Sequence, residues 1–308
     1  MQGTTGNTDL KTFKKAIQGG DLALTAELTI KHEFTADDVV EQARHLSKFA
    51  DAIEVTDNSY GWTQMSAVAA SGILLHHGID AIPILTCRDR NRIALKGDLL
   101  GLRALGVTSL ILTRGHPVPR HHEIQGTTVF DTTGRELILM GEEIREATDV
   151  GPKRDFHIGT GARVFRPKRN WVAESLKSRA AAGAQWMQTQ LSFNMDILRR
   201  YMHMLVDLKV TWDYSVIVSL TPLPSAETAR WIKQNLADSL VPKPVIERLE
   251  QASDPENEGV KICAELMQEV AEIPGVSGIN LMTTGNPDLL VAAFEASGLA
   301  GNANAGGG

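Results

Sequence analysis

The chain has 308 residues, of which 43% are hydrophobic, and a formal net charge of −6. This length allows one large α/β barrel or two ordinary domains. The basic residues are interspersed with acidic ones, which argues against the basic surface of a nucleic-acid-binding protein.

Cysteine usage and the N-terminal segment indicate the compartment. Cys87 and Cys263 lie far apart in apolar stretches, which predicts two free, buried thiols in a reducing environment. The first residues, MQGTTGNTDLKTFKKAIQGG, contain no apolar core followed by a cleavage pattern, and no run reaches the roughly 18 apolar residues that span a bilayer. We therefore expect a cytoplasmic protein with neither a membrane nor a nucleic acid as partner.

In chain order, short β-branched apolar runs alternate with longer segments of helical period. The predicted strands are residues 22–29, 52–56, 81–87, 109–113, 156–159, 186–191, 214–220 and 276–282. Eight strand–helix units in about 300 residues predict one (β/α)8 barrel. A doubly wound open sheet is the alternative, but no glycine-rich dinucleotide fingerprint follows the first strand.

The chain has elaborations outside the repeating units. The stretch LADSLVPKPVIERLEQASDPENEGVKICAELMQEV predicts extra helices before strand eight. We assign residues 1–20 to an N-terminal helical extension, 21–300 to the barrel and 301–308, GNANAGGG, to a flexible tail.

Polar residues cluster at the carboxyl ends of the predicted strands, where (β/α)8 barrels assemble their active sites. They are Glu27, Thr56-Asp57-Asn58, Thr86-Cys87-Arg88-Asp89, Thr113-Arg114-Gly115-His116, Thr189-Gln190 and Thr283-Thr284-Gly285-Asn286. Glu27 stands in an otherwise apolar strand, where desolvation would raise its pKa towards the range of a general acid. The alternative is a structural carboxylate paired with an arginine such as Arg114.

Two further residues of this set suit a bound cofactor or substrate. Arg114 can bind a phosphate or carboxylate, although a salt bridge that closes the barrel mouth would use it equally well. Gln190 offers a donor and an acceptor, which suits a pterin or flavin edge, but glutamine also lines barrels. No metal site is predicted, because the histidine pairs at 76–77 and 121–122 lack a third ligand at useful spacing.

Seven segments in order resemble those of bacterial methylenetetrahydrofolate reductases, from about Ala26 to Leu299. They are AELT, DAIEVTDN, ILTCRDRNR, LILTRGHPVP, TTVFDTTGREL, AGAQWMQTQLSFN and GVSGINLMTT. The resemblance implies a barrel oxidoreductase that interconverts methylene- and methyl-tetrahydrofolate by hydride transfer through FAD. NADH or NADPH would be the co-substrate, and the sequence does not distinguish them.

The resemblance also implies roles for individual residues. Glu27 matches the acid that protonates the folate nitrogen as the five-membered ring opens to an iminium, and Gln190 matches the glutamine that orients folate and nicotinamide. With these two, Thr284 is assigned to the substrate. The positions assigned to flavin are Thr56, Thr113, Arg114, Gly115, His116 and Arg179, the last replacing a family lysine.

Three departures from the family pattern concern the flavin. His116 stands where the family commonly has aspartate, Ile84 where it often has histidine, and the segment after strand five matches poorly. We assign His116 a catalytic role: a protonated imidazole would stabilise anionic reduced flavin better than aspartate does, which favours oxidation of methyltetrahydrofolate.

The same departures leave other functions open. One is a flavin-free, nicotinamide-dependent reductase. Another is a methyltetrahydrofolate-binding barrel that serves methyl transfer, although such a barrel needs no acid for ring opening. A non-catalytic relative that holds folate or flavin is the third. A related pterin in place of tetrahydrofolate and assembly as a homo-oligomer are also compatible with the sequence.

Overall fold

A computed structural model describes residues 12–118, 126–147 and 156–299. In these residues, eight parallel strands close into a barrel in chain order, which confirms the predicted (β/α)8 architecture. The strands are β1 Ala23–Glu27, β2 Ala52–Val55, β3 Ala81–Thr86, β4 Ser109–Thr113, β5 His157–Ala162, β6 Trp186–Leu191, β7 Ser215–Leu220 and β8 Val276–Leu281.

Helices surround this barrel and also precede it. They are α1 Phe13–Gly19, α2 Ala36–Leu46, α3 Ala67–His76, α4 Arg92–Leu105, α5 Gly134–Glu146, α6 Glu174–Ala180, α7 Met195–Asp207, α8 Ala226–Asn235, α9 Lys243–Gln251, α10 Pro255–Ala271 and α11 Pro287–Ser297. Helices α8, α9 and α10 all lie between β7 and β8, as the prediction of extra helices required. The tail at 301–308 and most of the predicted extension at 1–20 fall outside the described residues.

The fifth strand extends three residues beyond its predicted end. Its sequence HIGTGA contains two glycines, which resemble a turn signal. In the barrel, however, the indole of Trp186 packs against Gly159, and a Cβ on Gly159 would lie 2.3 Å from the Trp186 Cε2 atom. The glycine therefore marks a close approach inside the barrel, a role that glycine also takes in strands.

Local signals account for where several helices begin. Thr35 and Thr133 each accept a hydrogen bond from the backbone of the third helical residue, and the carboxylates of Asp38 and Glu136 accept one from the threonine backbone in return. These reciprocal bonds satisfy backbone donors that a helix start leaves unpaired. The bonds from Thr133 also lower the pKa of Glu136 to about 2.

The amino-terminal end of the barrel interior is apolar and closed by α1. Phe13 is fully buried, and its ring centroid lies 4.6 Å from that of Trp186. The Phe13 backbone N–H donates a 2.8 Å hydrogen bond to Asp80 Oδ2, and burial raises the pKa of Asp80 to about 7. The interior cluster at this end consists of Phe13, Ala23, Ala52, Ile82, Ile111, Trp186 and Ile217. This apolar packing closes the amino-terminal end of the interior and leaves the opposite mouth open to the polar strand-end residues.

Two simpler expectations concern the thiols and the helices. Cys87 and Cys263 are both buried and free, as predicted. Among the helices of the described ranges, none combines the length and the apolar character that crossing a membrane requires.

Candidate active site

Two glutamates face the barrel interior from adjacent strands. Glu27 is the last residue of β1, and its Cα is in register with that of Glu54 in β2. Strand alternation directs Glu54 inward, because its neighbours Ile53 and Val55 pack in the outer core between strands and helices. Glu27 is 8% exposed and Glu54 is 1% exposed, so the two carboxyl groups share a largely water-free space.

Amide and hydroxyl groups surround this pair. Gln188, in β6 across the barrel, donates a 2.6 Å hydrogen bond from Nε2 to Glu54 Oε2. Thr25 Oγ1 donates to Asn280 Oδ1 at 2.9 Å. Around this pair, the buried atoms Glu27 Oε2, Asn280 Nδ2 and Ser219 Oγ have no hydrogen-bond partner among the described residues. Buried polar atoms are rarely left unpaired, so these atoms indicate a place for water or a polar ligand.

Burial and mutual repulsion change the acidity of both glutamates. Desolvation raises the pKa of Glu27 well above its ordinary value, and the nearby Glu54 raises it further. Desolvation also raises the pKa of Glu54, to about 7, although the hydrogen bond from Gln188 partly offsets it. Both influences on Glu27 favour its neutral, protonated form, which is the form that a general acid requires.

An ion-pair network connects the ends of β2 and β3 at the mouth. Asp57 Oδ2 accepts hydrogen bonds from the Thr86 backbone N–H and hydroxyl, both at 2.8 Å, and also pairs with Arg90. Arg88 donates to the Asn58 carbonyl at 2.8 Å and pairs with Asp89. These four side chains thus form two ion pairs, and Arg90 also pairs with Asp98, which indicates that they shape the mouth.

The end of β4 presents a more available cation. The guanidinium of Arg114 is exposed and lies over the Phe130 ring, with Cζ 4.1 Å from the ring centroid. Gly115 follows with φ +76°, and a Cβ there would lie 2.9 Å from Thr86 Cβ. A side chain at this position would therefore meet both backbone strain and a clash. Arg114 makes no ion pair with Glu27. The structure therefore gives no support to the alternative in which Glu27 is a structural carboxylate that pairs with Arg114.

Gln190 lies near the mouth and is bound to backbone. Its Nε2 donates to the carbonyls of Val164 at 3.2 Å and Asp238 at 2.9 Å, and its Oε1 accepts from the Val164 N–H at 2.9 Å. Both amide hydrogens are therefore in use, and one lone pair of Oε1 is left for a ligand. Gln190 also holds the segment after β5 against the short 3-10 turn Ala237–Ser239.

The remaining predicted site residues occupy different places. The Thr56 hydroxyl donates to Gln64 Oε1 at 3.2 Å, Thr113 ends β4 half-buried, and His116 is exposed. Thr284 is exposed beyond β8, while the adjacent Thr283 shares a 2.8 Å hydrogen bond with Thr29.

Arg179 is directed away from the mouth. From α6 it donates to Thr160 Oγ1 at 3.1 Å and to the Gly161 carbonyl. Thr160 lies on the same face of β5 as Ile158 and Ala162, which both belong to the outer core. The structure therefore brings together the residues at the ends of β1, β2 and β4 and leaves Arg179 on the outside of β5.

Sequence reasoning missed Glu54 and Gln188. A signal for each was present: Glu54 is two residues before Thr56, and Gln188 is two residues before Gln190, so strand alternation places each on the same face as a predicted site residue. Attention to the strand ends alone excluded these more interior positions. Over the described residues, no group of three or more His, Cys, Asp or Glu side chains is arranged to hold a metal ion.

Comparison with known proteins adds the fold and the family. Two solved structures of 2,3-dimethylmalate lyase, a PEP mutase/isocitrate lyase superfamily member, are similar to this chain. The triclinic crystal form has a TM-score of 0.50 and 11% identity, covering 92% of this chain and 84% of that chain. The trigonal form has a TM-score of 0.48 and 13% identity, covering 92% and 80%. At 11% identity, the likeness to the triclinic form shows the fold alone.

A search of curated protein sequences found no match. The sequence model of the family described as methylenetetrahydrofolate reductase matches residues 12–298, nearly the whole chain. On this evidence, the chain belongs to the methylenetetrahydrofolate reductase family.

Proposed function

We propose that this protein interconverts methylene- and methyl-tetrahydrofolate by hydride transfer, with Glu27 as the general acid. One observation carries the proposal: a buried carboxyl group at the carboxyl end of β1 has a raised pKa and an oxygen without a hydrogen-bond partner. A protonated carboxyl in this position can donate to a nitrogen of a bound pterin. Family membership supplies the substrate class.

The chain's own groups can perform three tasks. Glu27 holds a proton for the folate nitrogen that leaves when the five-membered ring opens. Gln190 keeps one acceptor lone pair of Oε1 unused while its bonds to the backbone hold the side chain in place. The largely buried surroundings of Glu27 exclude water, which strengthens the interaction between the acid and the developing charge.

The mouth also offers groups that fit a flavin. Arg114 presents an exposed guanidinium for a diphosphate, Gly115 lets backbone approach a ligand closely, and Thr56 adds a hydroxyl. FAD, when bound, would carry hydride between the one-carbon unit and the nicotinamide nucleotide in either direction. We propose oxidation of methyltetrahydrofolate as the working direction, on the basis of His116 beside these groups.

One observation favours a second candidate, a flavin-free reductase that uses the nicotinamide nucleotide directly. Arg179 binds the outer side of β5, and Ile84 packs against the apolar interior cluster. Two side-chain positions expected to contact flavin therefore offer it nothing.

The absorption spectrum of the purified protein distinguishes these functions. We expect flavin absorption that bleaches when methyltetrahydrofolate or NADH is added. A colourless protein that oxidises NADH in the presence of methylenetetrahydrofolate would establish the flavin-free reductase. A protein that binds methyltetrahydrofolate and shows neither behaviour would contradict hydride transfer and support the methyl-transfer or non-catalytic alternative.

The Glu27→Gln substitution tests the acid. We expect a loss of about 10²–10⁴-fold in kcat for methylenetetrahydrofolate reduction, the usual contribution of a general acid, with folate binding retained. Glu33→Gln is the matched control, because Glu33 is an exposed glutamate shortly after the same strand and should retain full activity. Equal activity of the two variants would refute the role of Glu27.

A further inference from the structure

The Glu27–Glu54 pair is more than the proposed reaction requires. A general acid needs one carboxyl group, yet this chain places a second one in register with it and buries it more deeply. Burying two carboxyl groups without a cation is unfavourable, because desolvation and mutual repulsion both oppose ionisation. The arrangement therefore calls for a physical role for Glu54.

We propose that Glu54 is a positioning residue that shares one proton with Glu27, and that Gln188 directs this proton to Glu27 by hydrogen-bonding to the Glu54 carboxylate. This inference rests on the proposed function of Glu27 as an acid. It adds the device that keeps Glu27 protonated at neutral pH.

The geometry supports an asymmetric pair. Glu54 has a dedicated amide donor at 2.6 Å, whereas Glu27 Oε2 has no partner among the described residues. A hydrogen bond donated to a carboxylate favours its ionised form, so the negative charge is held on Glu54. Glu27, the more exposed of the two and the one at the strand end, then holds the proton on the side of the mouth.

No cation competes for this proton from the strands that pack against the pair. The inward-facing neighbours are Asn280 on β8, Ile82 on β3 and Gln188 on β6, none of which titrates. Just beyond β2 and β3, Asp57 pairs with Arg90, which also pairs with Asp98, and Arg88 pairs with Asp89. The pKa values of the two glutamates therefore depend on three influences: burial, the charge of the partner carboxyl group and the hydrogen bond from the Gln188 amide.

The first test follows both carboxyl groups in the unliganded full-length protein. Carbon-13 NMR of protein labelled at the glutamate δ-carbon gives their titration, with assignment from signals lost in Glu27→Gln and Glu54→Gln. We expect two steps, with Glu27 still protonated when Glu54 has ionised. In Glu54→Gln, Glu27 should titrate in one step, with its pKa lower by about one unit or more. An unchanged Glu27 titration would overturn the proposal.

Gln188→Met provides a second variant if Glu54→Gln does not fold. Methionine has a similar size but cannot donate a hydrogen bond, so the first titration step should move to higher pH and the proton should shift towards Glu54. A first step that stays in place would show that Gln188 does not direct the proton, which contradicts the proposal.

The second test is the pH profile of kcat for methylenetetrahydrofolate reduction. In Glu54→Gln the alkaline limb should move to lower pH by the shift seen in the NMR titration, and Glu54→Asp should restore it. A merely structural role would lower kcat at every pH without moving the limb, and that result would refute the proposal.

The two tests separate the two claims. If Glu27 and Glu54 titrate as a coupled pair but the protein does not act on folates, the proton-sharing proposal is supported and the proposed function is wrong. If activity depends on Glu27 but the titration of Glu27 is unchanged in Glu54→Gln, the proposed function is supported and the proton-sharing proposal is wrong.

Discussion

Asp80 offers a quantitative test of the electrostatics that hold the base of the barrel. Its side chain is 3% exposed and accepts hydrogen bonds from the Phe13 N–H at 2.8 Å and from Thr108 Oγ1 at 3.4 Å. Burial raises its pKa from 3.8 to about 7, despite these bonds. We predict that Asp80→Asn removes a pH-dependent destabilisation of the folded protein.

The magnitude follows from the shift in pKa. Because the pKa of Asp80 is raised on folding, its favourable contribution is complete below about pH 4 and is lost as the pH rises through about 7. A shift of about three units corresponds to about 4 kcal/mol, of which about 2–3 kcal/mol falls between about pH 5 and about pH 8. Asparagine can keep its oxygen towards the Phe13 N–H and donate its amide to Thr108 Oγ1, so it fits the site uncharged.

Urea denaturation at several pH values between about 5 and about 8 measures this effect. The free energy of unfolding of Asp80→Asn, relative to the unsubstituted protein, should increase by about 2–3 kcal/mol across this range. Phe13→Leu is the control, because it loosens the same contact without removing the carboxyl group, and its destabilisation should not depend on pH. A constant difference between Asp80→Asn and the unsubstituted protein would refute the reasoning.

Two further predictions concern the barrel interior and the mouth. Gly159→Ala should destabilise the protein by about 1–3 kcal/mol or more, because its Cβ would overlap the Trp186 ring. Gly161→Ala is its control in the same strand, since that Cβ would meet only the Thr113 hydroxyl at 3.6 Å, and equal losses in urea denaturation would contradict the packing argument. In a flavin-containing preparation, His116→Asp should lower the flavin midpoint potential. It should also raise the rate of methylenetetrahydrofolate reduction relative to the rate of methyltetrahydrofolate oxidation. An unchanged potential and an unchanged ratio would remove His116 from the mechanism.

Several features of the candidate site could be predicted from individual residues. Glu27 is recognisable as a lone carboxylate in an apolar strand, and the structure places it in the interior with a raised pKa. Arg114 and Gly115 were expected at the mouth, where the structure has them. Arg179 lies on the outer side of β5 instead, because the segment after this strand contains no pattern that defines which way the side chains of α6 point.

The role of Glu54 could not be read from the sequence. Alternation assigns Glu54 and Gln188 each to the inward face of its own strand, but strands β2 and β6 are 134 residues apart at these positions. Only closure of the barrel brings the two side chains within hydrogen-bonding distance. The extension of β5 was missed for a similar reason, because Gly159, which resembles a turn signal, instead makes room for Trp186 of the next strand.

The order of strands and helices, the barrel and the family were determined by the sequence itself, because hydrophobic periodicity, caps and ordered motifs are local properties. The tertiary structure decided which polar groups meet. Register sets Glu27 beside Glu54, barrel curvature brings Gln188 across to them, and the depth of burial raises the pKa of both carboxyl groups. Proximity and desolvation depend on the whole closed barrel, which no single segment of the sequence contains.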